Sequence, residues 1–98
     1  MPPLRIEWDP NKNEANKRKH GISFEEAETV FSDDYGLFMP DPDHSADEER
    51  FILLGMSERL RLLVVCHCYR KKNKVIRIIS ARKANRAEQA QYTRWWTR

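Results

Sequence analysis

Leu4, Ile6 and Trp8 alternate with Arg5 and Glu7 along the first residues of the chain. A period of two puts the three apolar side chains on one face and predicts a half-buried strand. Asp9-Pro10 then reads as a helix start, because the carboxylate can accept from a free backbone N–H and proline at the first turn has none to leave unpaired. This first helix is predicted to run to about His20, with Gly21 as its left-handed stop. It has almost no apolar stripe. Lys12, Asn16, Lys19 and His20 instead fall on one face at helical spacing and form a basic patch. Ser23-Phe24-Glu25-Glu26 reads as a capping box, in which the serine and glutamate side chains satisfy free backbone donors reciprocally. The second helix carries Phe24, Ala27, Val30 and Phe31 on one side, the pattern of a helix lying on a sheet.

Strand patterns fill most of the remaining chain. Residues 36–39 form a short strand that Pro40 ends. RFILLGMS, residues 50–57, is apolar on both faces and so central. LRLLVVCHCY, residues 60–69, is the next strand, RKKN is a tight basic turn, and residues 74–81 return as its hairpin partner. A helix from residue 84 closes the chain. There is no repeat, linker or low-complexity tract, so residues 1–98 read as a single domain. The order β-α-α-β-β-β-β-α predicts an α+β fold, an antiparallel sheet with a helical pair on one face.

Charge sharpens this picture. The net charge is only +3, yet from Arg59 to the end there are twelve Lys or Arg and one acid, Glu88. From Asp33 to Glu49 there are seven acids and no Lys or Arg. A basic half calls for an anionic partner, nucleic acid being the commonest; a merely solvated basic surface is the plainer alternative. No apolar run approaches the ~20 residues that span a bilayer. The N-terminus lacks a signal-peptide pattern, and a cytoplasmic location is the expectation. Cys66 and Cys68 lie too close along one strand for good disulfide geometry and are expected as free thiols. Their strand spacing puts His67 on the opposite face, so the three do not share a metal. The acidic loop with Asp41, Asp43, His44, Asp47 and Glu48 lacks a calcium-loop spacing and reads as solvated.

The strand 74–81 raises the question of function. One of its faces is Ile76, Ile78 and Ser80, expected against the helices. Arg77 lies on the other, and the strand end delivers Arg82 and Lys83 beside it. Three cations crowded at one strand end repel each other unless an anion lies between them, and a guanidinium's planar fork suits phosphate. The alternative for Arg77 is an ion pair with an acid such as Glu49 on a neighbouring strand. His67, in the adjacent hairpin strand, is a candidate proton shuttle near neutral pH. The turn length puts it opposite Ile76, and a slip of one residue puts it opposite Arg77, so the register stays open. Trp95 and Trp96 suit either base stacking or packing of the last helix.

Several stretches resemble a known family. WDPNKNEANKRKHGISFEEAETVF is similar to the N-terminal signature of the BrnT toxins. PDPDHSADEERF is similar to their middle segment, RLRLLVV followed by His67 to the next, and RIISARKANRAEQAQY to the C-terminal signature. The matches run in order over nearly the whole chain. The resemblance implies a RelE-like fold and the toxin of a bacterial type II toxin–antitoxin pair, a ribonuclease that cuts RNA and stops translation. It implies a BrnA antitoxin partner with a ribbon-helix-helix part, with operator DNA reached only through that complex. It carries over Lys19 and His20 from the Lys-His-Gly motif, Glu49 and Arg50 from the Glu-Arg motif, then His67, and Arg77, Arg82 and Lys83 from the C-terminal signature.

The resulting expectation is a metal-independent endoribonuclease without a cofactor. Its catalytic set is His67, Arg77, Arg82 and Lys83, with Lys19, His20 and Arg50 contacting RNA and Glu49 in support. Lys83 or Lys19 stands in for His67 in proton transfer if crowding lowers its pKa. The competing reading is a non-catalytic basic module that binds nucleic acid or a protein partner.

Overall fold

The computed structural model describes residues 5–41 and 49–97. β1 (Arg5–Glu7) leads through the Asp9 cap into α1 (Pro10–His20), where the Asp9 carboxylate accepts from the Asn11 N–H at 2.8 Å. Gly21 ends the helix at φ 72°, the left-handed region that costs glycine least. α2 (Phe24–Thr29) and a tight turn at Val30–Ser32 follow, then β2 (Leu37–Pro40), β3 (Phe51–Met56), β4 (Leu62–Arg70), β5 (Val75–Lys83) and α3 (Arg86–Thr97). This is the α+β order expected. Half of the capping box forms. Ser23 Oγ accepts from the Glu26 N–H at 3.1 Å, but the Glu26 carboxylate turns inward, accepting from Ser57 Oγ at 2.7 Å and from the Arg61 guanidinium. Residues Asp43, His44, Asp47 and Glu48 lie outside the described residues.

The five strands form one sheet in the order β1-β5-β4-β3-β2. It is antiparallel except at one edge, where β1 runs parallel to β5 and sets Glu7 beside Arg77. α1 and α2 cover one face. Phe24, Ile22, Ala27 and Val30 meet Leu53, Leu63, Val65, Ile78 and Ala81 there, with Ile6, Trp8 and Phe31 at the margin. Gly55 lets this contact close, because a Cβ there would stand 2.8 Å from Val30 Cγ1. On the opposite face α3 covers one end, where Tyr92 of the helix and Ala84 just before it pack near Leu54, Val64, Ile52 and Met56. The Tyr92 hydroxyl donates to Asp33 Oδ2 at 2.6 Å, an oxygen that also accepts from the Met56 N–H at 2.7 Å.

Two details of β5 set the geometry of the remaining face. The ladder with β4 pairs His67 with Ile78 but Cys66 with Ser80, so Ile79 is an extra residue, a β-bulge. A regular strand would point Arg77 and Arg82 to opposite sides, since they are an odd number apart. The bulge turns Ser80 and Arg82 to the side of Arg77 and gives the helix side to Ala81. Beyond Glu7, β1 has ended and the outer edge of β5 lacks a strand partner. Asn16 of α1 takes that place. Its side-chain amide donates to the Ala81 carbonyl at 2.8 Å and to the Ile22 carbonyl at 2.9 Å, and accepts from the Ala81 N–H at 3.2 Å. Asn16 is therefore buried against β5 and not part of an exposed basic face, which keeps Lys12 and Lys19. Among the described residues no helix is long and apolar enough to cross a membrane.

Candidate functional site

The part of the sheet beyond α3 carries Arg77, Ser80 and Arg82 from β5, all part-exposed, with the half-buried Cys66 and the buried Cys68 from β4 opposite them. Arg77 is held by Glu7 across the parallel pair, Nη1 to Oε2 at 2.7 Å, and both side chains are about one-third exposed (32%). Glu7, not Glu49, is thus the acid on the neighbouring strand. Arg82 makes a two-pronged contact with Glu88 of α3, at 2.8 and 2.9 Å. Glu88 serves twice, since it also accepts from the Asn85 N–H at 2.8 Å and so closes a reciprocal cap with Asn85 at the start of α3. The guanidinium holds the Glu88 carboxyl below its usual range, and the carboxylate raises Arg82 in turn.

Arg77 and Arg82 stand beside Cys68 and Val64, four β4 residues apart, roughly 13 Å along the strand. The three-cation cradle expected at one strand end is therefore not formed. Each arginine is neutralised by its own acid. Lys83 pairs with Leu63 and so leaves the strand on the other side from Arg82, exposed.

Between the arginines lies a polar cluster that sequence reasoning missed. Cys66 Sγ donates to Asp41 Oδ2 at 3.5 Å, and Ser80 and Arg50 act on the same thiol. Burial and the Asp41 charge push the thiol up to about 11, so it stays protonated at neutral pH. The Asp41 N–H bonds the Arg50 carbonyl at 2.9 Å, which ties the end of β2 to the start of β3. Arg50 thus joins the open face, while Glu49 beside it is exposed.

His67 is elsewhere. It pairs with Ile78, a register two residues from the first expectation, and points to the helix side of the sheet, away from Arg77. Its ring is fully buried (0% exposed) among Phe31, Phe38, Phe51 and Tyr69, with centroids 4.9 to 6.3 Å away. Nδ1 lies 3.2 Å from the Val65 carbonyl, and a carbonyl only accepts, so Nδ1 carries the proton. Nε2 is buried without a hydrogen-bond partner among the described residues. Desolvation pushes the imidazole below its ordinary pKa, with the Val65 carbonyl pulling weakly the other way. Lys19 and His20 sit at the end of α1, Lys19 exposed and His20 half-buried. Trp95 is exposed on α3. Among the described residues, no three His, Cys, Asp or Glu side chains stand together as metal ligands do.

A family model described as "Ribonuclease toxin, BrnT, of type II toxin-antitoxin system" matches residues 8–88. The chain belongs to the BrnT family. Its matched span includes both arginines of the open face and the acids that hold them, except Glu7 at its border. Among solved structures, the chain is similar to the Brucella abortus ribonuclease toxin, BrnT, determined at 1.1 Å. The two share 26% identity and superpose with a TM-score of 0.65 over 86% of this chain and 100% of that one. A search of curated proteins returns no match. The family and the superposition support the RelE-like α+β fold and a ribonuclease-toxin function. The polar pair Asp41–Cys66 and the partner role of Glu7 had no signal in the linear sequence, because each joins residues far apart in the chain.

Proposed function

We propose that this chain is a metal-independent endoribonuclease that cuts RNA on the open sheet face and thereby blocks translation. The observation that carries the reading is the alignment of Arg77 and Arg82 on one exposed face, each held by a carboxylate that a phosphate can displace. The RNA 2′-hydroxyl attacks the adjacent phosphorus and the bond to the 5′-oxygen breaks. The products are a 2′,3′-cyclic phosphate and a 5′-hydroxyl. Arg82 stabilises the charge of the phosphorane, and Arg77 binds a phosphate further along the chain. When phosphate draws Arg82 away, Glu88 loses the cation that depresses it and regains basicity. It then takes the proton of the 2′-hydroxyl. Solvent protonates the leaving oxygen, since the face is open. Arg50 adds a contact on the same face, and Glu49 supports it. Lys83, Lys19 and His20 meet more distant parts of the RNA. His67, enclosed by rings on the other side, serves packing in this reading.

The partner in this proposal is a BrnA-like antitoxin with a ribbon-helix-helix part, which silences the toxin by covering the open basic face. Operator DNA is then met only through that complex, in the cytoplasm. The internal neutralisation of both arginines also favours a second reading, a module that binds RNA without cutting it. Incubation of the purified chain with RNA in excess EDTA separates the two. New 5′-hydroxyl ends are expected from the unmodified chain and from His67→Phe, and none from a folded Arg82→Ala variant. Salt-sensitive binding without new ends, with or without ribosomes, would sink the ribonuclease reading in favour of the binding module.

A further inference from the structure

β4 and β5 are the longest strands, nine residues each. Their ribbon runs three residues past His67, the last β4 residue that pairs with β3 among the described residues. At the tip, Lys71, Lys72 and Asn73 all adopt positive φ, at 51°, 57° and 68°. Asparagine tolerates the left-handed region; two lysines beside it do not do so without strain. The turn is closed by backbone bonds from the Lys74 N–H to Arg70 and Lys71 carbonyls, at 3.1 and 3.2 Å. The Lys71, Lys72 and Asn73 side chains gain no partner from it among the described residues. Residues 70–74 are all exposed, and Lys71, Lys72 and Lys74 have no acidic partner among the described residues. A two-residue turn containing glycine closes a hairpin without such strain and without such repulsion. Strain and like charge kept together at a projecting tip point to a bound anion.

We infer that the β4–β5 tip is a phosphate anchor for the single-stranded RNA that the open face cuts, extending the binding track beyond Arg77. The inference rests on the ribonuclease reading of that face. Its warrant is continuity: the tip ends at Lys74, β5 begins at the next residue, and Arg77 and Arg82 follow along it, about 25 Å from end to end. A track of that length holds a short single-stranded footprint, toward the lower end of the ~4–16 nucleotides of charged grooves. RNA fits better than an acidic protein segment, because the tip cations lie on the same hairpin as the two arginines of the face that cuts RNA.

The test uses the whole chain and RNA carrying 2′-O-methyl groups throughout, which cannot be cleaved. Binding of a dodecanucleotide and a trinucleotide is followed across salt concentrations for the unmodified chain, a Lys71→Gln/Lys72→Gln/Lys74→Gln variant and the matching triple Lys→Arg variant. The glutamine variant is expected to bind the dodecamer roughly tenfold more weakly, with a salt slope smaller by about 2, at ~0.7 per lost contact. The trinucleotide, seated at Arg77 and Arg82, should bind all three alike, and the arginine variant should restore the slope. An unchanged slope in a glutamine variant, beside an unmodified chain that binds and cleaves RNA, overturns this inference alone. An unmodified chain that neither binds nor cleaves RNA overturns the ribonuclease reading and this inference with it. Loss of antitoxin binding with RNA binding intact would assign the tip to a protein partner and overturn the inference too.

Discussion

On the helix side of the sheet, Leu63, Val65 and His67 of β4 meet methyl groups and aromatic rings, and the edge of β5 is closed by the Asn16 amide. On the other side, past the reach of α3, the same strands present Cys66, Ser80, Arg77 and Arg82. The polar groups of the two sides are held in different ways. Asn16 is buried and bonds backbone that would otherwise go without partners, so its loss leaves orphaned groups that are expensive inside a protein. Arg77 and Arg82 are bound to acids at part-exposed positions, 24% to 42% exposed, where an ion pair contributes little to folding and water screens it. One set of polar contacts is there to stay; the other can be exchanged for a ligand at small expense. That contrast, more than the number of cations, supports the proposal that the open face is the working one.

The contrast can be broken at four places. Arg82→Ala should lower RNA cleavage by about 10²-fold or more, the scale for losing one donor to a transition-state charge. Its thermal midpoint should move by only a few degrees. An equally active variant would remove Arg82 from the site. Asn16→Ala should do the reverse, lowering stability by about 3 kcal/mol through the unsatisfied Ala81 and Ile22 groups. Its urea midpoint checks this, and an unshifted midpoint would mean that water replaces the amide. Glu88→Gln should tighten RNA binding about threefold by releasing Arg82 while slowing turnover, a split between KM and kcat. Joint improvement of both would exclude Glu88 as the base.

His67→Phe should have the smallest effect at neutral pH and a visible one in acid. Unfolded, the imidazole takes a proton near pH 6.5; folded, burial delays this to lower pH. Below pH 6.5 the unfolded chain therefore binds more protons, and stability falls as pH falls until the folded group protonates as well. The phenylalanine variant should lack this loss between pH 6.5 and the carboxylate range. Parallel pH profiles for the two proteins would show that His67 does not titrate on unfolding.

Much of the fold can be read locally because its signals are local. Asp9-Pro10 and Gly21 bound α1, and Phe24, Ala27 and Val30 bury the face that their spacing predicts. The placement of Cys66 and Cys68 opposite His67 comes from a period of two. The rest depends on contacts between distant residues. Helical spacing groups Asn16 with two lysines, and only the early end of β1 explains why an asparagine is wanted inward at that point. The partner of Arg77 lies 70 residues away and is supplied by a parallel edge strand. The register of His67 follows from the turn, which takes residues 71–74 and sets Arg70 opposite Val75 and His67 opposite Ile78; the bulge comes after it and moves only Ser80 and the residues beyond, with no glycine to announce it.

That bulge at Ile79 has a bearing on how relatives of this chain should be compared. Two arginines five positions apart share a face only because one residue between them is extra. Spacing in the alignment and placement in space are therefore out of step by one. In a relative with a regular ladder, the equivalent guanidiniums must be an even number of positions apart to do the same work. A gap of a single residue in this strand would then change the composition of the site itself, even where both arginines remain in the sequence.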